Sequence, residues 1–467
     1  MVLASSLAHA PLVLDRQASP PPAGENRNLT RSMADAAFFG GMVGCGETYF
    51  SAFALAIGLG ETASGLVASI PLLVGGTLQL ISPLAIKWLG SFHRWIVTGA
   101  VLQAAAFLPL AWAAWSGSLS LAMMLLIASV YWAAGLAIGP AWNTWIEHVV
   151  PAPRRTRFFA RRSRLQQICT FVSLISAGLF LQWTSQNERT LLGFAALFFV
   201  AGVCRLVSAV FLHRTNSTGV TPASCGVPET GAEVASGVRS TPIGNSSQTV
   251  SSGARQLLTY LVLMQVFVQI SGPFFTPYML KQLSFGYGTF VMLISVAFIS
   301  KVLSMSFWGR IAERSGATRV LWIGGVGLVP LSALWIISDQ VAWLLVVQLL
   351  SGVFWAAYEL GFFLMFFETM PPAQRTQLLT YYNFANTLAV CVGATTGAAI
   401  MGWIGYSAEG YHTLFGISSS GRLFCLGLLA GIALPHHSLR QIRMRFLSIR
   451  PGAGSVVAPI LASAEEE

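Results

Sequence analysis

Three ionisable side chains fall inside long apolar runs: Glu47 in GCGETYF, Glu359 in FWAAYELG, and Lys301 in the run that leads to Gly309. A charge at the centre of a bilayer costs about 2.5–3.5 kcal/mol on insertion scales, so each one needs a partner or a purpose. Desolvation favours the protonated form of a carboxylate, so Glu47 and Glu359 are candidates for proton coupling or substrate binding. A structural carboxylate bonded to a neighbouring helix is the competing reading. The obvious partner of Lys301 is Glu359. Such a buried pair either switches between states or simply neutralises itself.

An uncharged set surrounds these groups in the sequence. Gln265 and Gln269 stand four apart and share a helix face. Asn383 and Asn386 follow Tyr381 and Tyr382, and Asn143 lies between Trp142 and Trp145. Tyr49, Trp132, Trp355 and Tyr358 supply rings. Amides for hydrogen bonds and rings for stacking would line a cavity suited to a small amphipathic organic solute. Aromatic residues in apolar helices also face lipid or pack on neighbours, and that competes for several of these positions. Arg205 and Arg422 are expected to be structural, holding helix-end carbonyls or a carboxylate. Pro140, Pro273 and Pro277 are expected to permit bends.

The elements that would position these residues follow from composition. The chain has 467 residues, 54% of them hydrophobic and 9% charged, with a mean hydropathy of +0.66. Soluble proteins carry about 25% charged residues, so this is an integral membrane protein. Apolar segments run over 34–57, 62–88, 95–116, 119–147, 165–184 and 190–212, then 256–279, 286–309, 319–337, 341–367, 378–403 and 413–434. Their length suits transmembrane helices rather than the alternating strands of a barrel. The expected fold is all-α and polytopic, with twelve transmembrane helices. Its units are a disordered cytoplasmic tail (1–32), a six-helix bundle (33–214), a flexible linker (215–253), a second six-helix bundle (254–434) and a cytoplasmic tail (435–467). The linker is rich in Gly, Ser, Thr and Pro and cannot bury a core. The first residues have no basic stretch before their weak apolar run and read as a tail rather than a cleaved signal.

Of the 27 Lys and Arg residues, only Arg189 and Lys281 fall in outer loops and only Arg205, Lys301 and Arg422 within spans. The rest lie on the inner side, which predicts cytoplasmic termini in a cell (inner) membrane. The net charge of +10 therefore implies no nucleic acid. The six cysteines form no CxxC pair and suggest neither a disulfide framework nor a zinc site.

The halves echo each other. Trp132-Ala133-Ala134 recurs as Trp355-Ala356-Ala357, Arg155-Thr156 as Arg375-Thr376, and Arg205-Leu206 as Arg422-Leu423, at offsets of 217–223 residues. Glu147 and Glu368 precede the second of these matches in EHVVPAPRRT and ETMPPAQRT. Six is an even number, so the two copies enter from the same side. They form parallel repeats around a central cavity, which implies solute movement by alternating access.

The segment GRIAERSGATR resembles the inner-gate signature of the major facilitator superfamily, with Gly309, Glu313, Arg314, Gly316 and Arg319 at the matching positions. The resemblance implies a gate in which a carboxylate at a helix end pairs with arginine and a helix N-terminus. It also implies that the helices bearing Glu47 and Glu359 line the cavity. The corresponding loop in the first half, SPLAIKWLGSFHRW, keeps Lys87 but has Ile86 where an acid is expected, so Glu147, Arg155 and the other arginines after helix 4 would serve there, with Glu368 and Arg375 in the second half. Helix 5 lacks the Gly-Pro pair usual in drug/proton antiporters of the superfamily.

No P-loop, HExxH or GxSxG motif is present, and no cofactor is expected. The expectation is a secondary active transporter for a small-molecule substrate in the lipid bilayer, not an enzyme, proton-coupled through Glu47, Glu359 or both, and monomeric as the resemblance implies. Sodium is the other candidate coupling ion, and a non-transporting sensor or assembly factor on the same scaffold is the alternative. Substrate and direction are open.

Overall fold

The computed structural model describes residues 23–78, 81–150, 155–215, 252–369 and 372–430; the side chains of Pro140, Glu147, Arg155, Glu368, Arg375 and Tyr381 lie outside the described set, as do the linker core and both distal tails. Every regular element described is helical. Nine of these helices are long and apolar enough to cross a membrane, among the described residues. Their outer faces carry exposed apolar side chains such as Trp112, Trp183, Phe199, Leu303 and Trp403, as a lipid-facing surface requires. The protein is an integral, multi-pass membrane protein.

Helices lie over the expected apolar segments, and several of them are interrupted. Helix 1 starts at Ala23, well before residue 34, because hydropathy marks the apolar part of a helix and not its polar extension into water. It comprises α1 (Ala23–Cys45), a 3-10 turn (Glu47–Tyr49) and α2 (Phe50–Ala56). The break is pinned by Gly46, where a Cβ would come within 2.6 Å of the Phe107 ring and 2.7 Å of the Ala201 Cβ. Segment 62–88 divides into α3 (Glu61–Val67), α4 (Ile70–Leu78) and α5 (Ser82–Leu89). Pro71 and Pro83 sit in first turns, where a missing N–H costs nothing. The first half continues with α6 (Phe92–Ala105), α7 (Phe107–Ser116), α8 (Leu121–Val149), α9 (Arg155–Gln186) and α10 (Thr190–Arg214). The α8 helix continues past Pro140.

The second half begins with α11 (Ser252–Ser271), which breaks as helix 1 does. A 3-10 turn (Gly272–Phe274), α12 (Phe275–Pro277) and a π-helical turn (Tyr278–Gln282) follow, so both expected prolines fall at the interruption. Next come α13 (Tyr287–Ser315), α14 (Ala317–Leu328), α15 (Leu334–Ile337), α16 (Val341–Thr369), α17 (Pro372–Ile404) and α18 (Ala408–Ala430). Pro330 stands in the gap between α14 and α15, where it cannot continue the helical ladder.

Packing partners recur between the halves. The α1 helix packs on α9 and α10, as α11 packs on α17 and α18; α8 receives α4 and α6, as α16 receives α13 and α14. Four buried clusters follow, the smallest of them Leu72, Leu136 and Val390 between the halves. The largest is shared by both halves and includes Tyr49, Phe53, Phe274, Tyr278, Val291 and Tyr411. Two others belong to one half each: one around Ile96, Trp145 and Leu212, the other around Tyr260, Leu321 and Tyr358.

Candidate functional site

Glu47 lies on the 3-10 turn rather than inside a continuous helix. Tyr131, on α8, donates its hydroxyl to Glu47 Oε2 at 2.7 Å. The Tyr131 ring is fully buried and held edge-on by Phe50 at 5.1 Å and Phe107 at 5.2 Å. A rigid donor is thus aimed at a carboxylate on a turn whose backbone departs from the regular ladder. Tyr131 was not singled out in the sequence, although it is the immediate neighbour of Trp132 in the repeated segment.

Lys301 and Glu359 meet as expected. Lys301 Nζ on α13 donates to Glu359 Oε1 on α16 at 2.7 Å, with side chains only 11% and 4% exposed. A pair this dry is held by mutual attraction against a large desolvation cost, so loss of either partner is severe.

The remaining lining candidates divide. Gln265 and Gln269 are both buried on α11, and Gln265 Nε2 has no hydrogen-bond partner among the described residues. Trp132 sits where Leu72, Leu136 and Val390 bring the halves together, and Asn383 and Asn386 are partly buried nearby on α17. Others are structural. Tyr49 is fully buried and donates to the Leu174 carbonyl at 2.8 Å, so it packs α1's continuation against α9 instead of lining a cavity. Asn143 donates to the Gly139 carbonyl of its own helix at 2.8 Å. Trp355 and Tyr358 are buried within the second half's own core, their rings 5.8 Å apart.

A polar network near one end of the first half was missed. Arg162 Nη2 pairs with Asp35 Oδ2 at 2.7 Å, and Ser208 donates to Asp35 Oδ1 at 2.7 Å. Arg205 donates to Ser208 Oγ and to Gln103 Oε1, each at 2.8 Å. The Arg162 guanidinium also lies over the Trp142 ring, 4.3 Å from its centroid. Asp35 stands at the edge of the apolar segment, where hydropathy gives no reason to single it out. Arg205 thus serves a structural carboxylate network, and Arg422 holds the helix-end carbonyl of Leu328 at 2.9 Å.

The signature turn carries Gly309, Glu313, Arg314, Gly316 and Arg319. Gly316 has φ +87°, a conformation that glycine adopts without strain. Glu313, Arg314 and Arg319 are exposed, and none forms an ion pair among the described residues. Lys87 is likewise exposed, in the last turn of α5. The opposite end of the molecule is tied shut. Tyr411 donates to Glu61, the Thr62 and Tyr406 hydroxyls bond each other, and the Gly288 N–H donates to Gln182 Oε1 at 3.0 Å. Each of these bonds joins the two halves. The Tyr278 hydroxyl donates to Asp339 Oδ1 at 2.8 Å beside them. Among the described residues, no group of three or more His, Cys, Asp or Glu side chains is placed to hold a metal ion.

Solved structures share the fold. A nucleoside transporter, NupG, superposes with a TM-score of 0.60 at 13% identity, covering 87% of this chain and 99% of that one. A bacterial homologue of the iron transporter ferroportin in its inward-facing state superposes at 0.65, with 14% identity over 87% of this chain and 98% of that one. Its outward-facing form with soaked iron superposes at 0.53, with 14% identity over the same 87% and 98%. No curated protein matches in sequence. The sequence profile of the Major Facilitator Superfamily, however, matches residues 36–393 and 257–445. The chain belongs to the Major Facilitator Superfamily, a family of membrane transporters.

Proposed function

We propose that this transporter is a secondary active carrier that moves a small organic solute by alternating access, with protons as the coupling ion. In this reading the chain makes twelve spans as two parallel six-helix bundles. Both termini are cytoplasmic, the protein works as a monomer in the cell membrane, and the end bearing Glu61 and Tyr406 faces outward. The recurring packing partners support the duplication, and the one-sided distribution of Lys and Arg supports the orientation.

One observation carries the proposal. At the Glu61 end the halves share a core and three hydrogen bonds, whereas the cores around Trp145 and Tyr358 are separate. A molecule closed at one end and divided at the other is one state of an alternating-access cycle. The higher score against the inward-facing form of the ferroportin homologue supports the same state. The exposed, unpaired Glu313 and Arg314 fit an inner gate that is not engaged.

Within that frame Glu47 and Glu359 are the proton-carrying candidates. Protonating Glu359 would release Lys301, and protonating Glu47 would change what Tyr131 holds. Both changes act at helices that pack the two halves. The neighbours' own solutes differ, nucleosides in one and iron in the other, so the solute is given only as a class. Proteoliposomes loaded with a pH-sensitive dye and challenged with pooled metabolites test the proposal. Substrate-dependent acidification that is lost in Glu47→Gln or Glu359→Gln is the expected result; transport that proceeds without proton movement and follows sodium would replace the coupling ion.

A further inference from the structure

Arg205 and Arg422 occupy equivalent positions in the repeat, but their surroundings differ in one respect. Arg205 reaches a carboxylate, Asp35, through Ser208. Arg422 is 3% exposed and has no carboxylate within ion-pair distance among the described residues. Its Nη1 donates to the Leu328 carbonyl at 2.9 Å and its Nη2 to Ser271 Oγ at 3.1 Å, while its Nε has no partner.

The guanidinium lies against a knot of buried hydroxyls. Ser271 Oγ and Ser418 Oγ are 2.9 Å apart, Ser332 Oγ and Ser419 Oγ 3.1 Å apart, and Ser332 lies 3.5 Å from Ser418. All four serines are buried. They come from three chain segments, two of which are interrupted at this level: α11 ends at Ser271, and α14 ends at Leu328 just before Pro330. The C-terminal end of α14 offers about half a negative charge, which offsets only part of a buried cation. Ser418 donates to the Phe267 carbonyl at 2.7 Å, and Ser419 Oγ accepts from the Ala333 N–H at 3.0 Å. The hydroxyl hydrogens left to turn toward an acceptor are those of Ser271, Ser332 and Ser419, beside the unpartnered Arg422 Nε–H.

We propose that Arg422, Ser271, Ser332 and Ser419 form a binding site for a small monovalent anion, with chloride as its simplest occupant and Ser418 holding Ser271 and Ser332 in place from the Phe267 carbonyl. An anion here supplies the counter-charge that Asp35 supplies in the first half. It also links the breaks in α11 and α14 to α18, so occupancy stiffens the second half. The site is separate from Glu47 and Glu359, and its test does not depend on transport.

Purified full-length protein would be unfolded thermally while sodium chloride replaces sodium gluconate at constant ionic strength. The expected result is a saturable rise in midpoint for wild type that is absent in Arg422→Gln, as linkage requires of an occupant that binds only the folded state. Equal, non-saturating responses in wild type and variant would overturn the proposal. Should Arg422→Gln not fold, crystals of wild type grown in sodium bromide decide. An anomalous bromide peak in contact with the Arg422 guanidinium supports the site, and density explained by water without such a peak contradicts it.

Discussion

Lys301 Nζ and Glu359 Oε1 lie 2.7 Å apart across the interface of α13 and α16, inside a half of the molecule that otherwise buries mainly rings and aliphatic side chains. The pair is isolated in the sequence but adjacent in space, because α13 and α16 are packed partners. Removing one member leaves an uncompensated charge, whereas removing both removes the desolvation cost as well.

Lys301→Met should therefore destabilise the protein by about 3–5 kcal/mol, while Lys301→Met combined with Glu359→Leu should recover most of that loss. Thermal unfolding of the two purified variants in one detergent checks this. A double variant no more stable than the single one would show that the pair's surroundings need the charges.

Asp35 holds Arg162 directly and Arg205 through Ser208. Asp35→Ala should strand two cations at once and cost about 3–5 kcal/mol, with Asp35→Asn intermediate because its amide oxygen still accepts. Yield of folded protein on size-exclusion chromatography and the unfolding midpoint report it. Wild-type stability in Asp35→Ala would make the network incidental.

Gly178 on α9 lies against Val291 on α13, and a Cβ there would collide with the valine side chain. The contact exists only when the two halves meet. Gly178→Leu should leave each half folded but disfavour closure at the Glu61 end. Labelling of Gln182→Cys by a membrane-impermeant maleimide should then rise several-fold over the same cysteine on the wild-type background. Unchanged labelling would mean that this end stays closed despite the bulk.

Glu61→Gln should act in the same direction more mildly. It keeps a hydrogen bond to Tyr411 but loses its charge assistance, which makes such bonds roughly twice as strong. The same cysteine reporter should show an increase smaller than that of Gly178→Leu, and Tyr411→Phe, which removes the bond outright, should exceed Glu61→Gln.

What the sequence made legible depended on contrast with an apolar background. Glu47, Lys301 and Glu359 stand out because charge is rare in a span, and the Lys301–Glu359 pairing followed from a lysine and an acid both near the middle of spans in the same half. The signature turn was readable because Gly316 needs a positive φ that few other residues tolerate. The tie between the halves was not readable: Glu61, Thr62, Tyr406 and Tyr411 sit in or beside loops, where polar residues are ordinary. Asp35 was hidden in the same way by its place at the edge of the apolar segment, in the middle of α1. The rings of Trp355 and Tyr358 were found, but hydropathy does not tell which face of a wholly apolar helix meets a cavity and which meets a neighbour. Helix breaks at Gly46, Gly272 and Pro330 likewise needed the packing partners, since glycine and proline are common in membrane helices without interrupting them.

The most direct measurement is proton movement in proteoliposomes with a solute found by screening. The account predicts acidification of the lumen that requires the solute, is reduced at least about tenfold in kcat/KM terms by Glu47→Gln or Glu359→Gln, and leaves solute exchange without a gradient less affected. Solute accumulation driven by a pH gradient at the wild-type rate in the protein carrying both substitutions would contradict it.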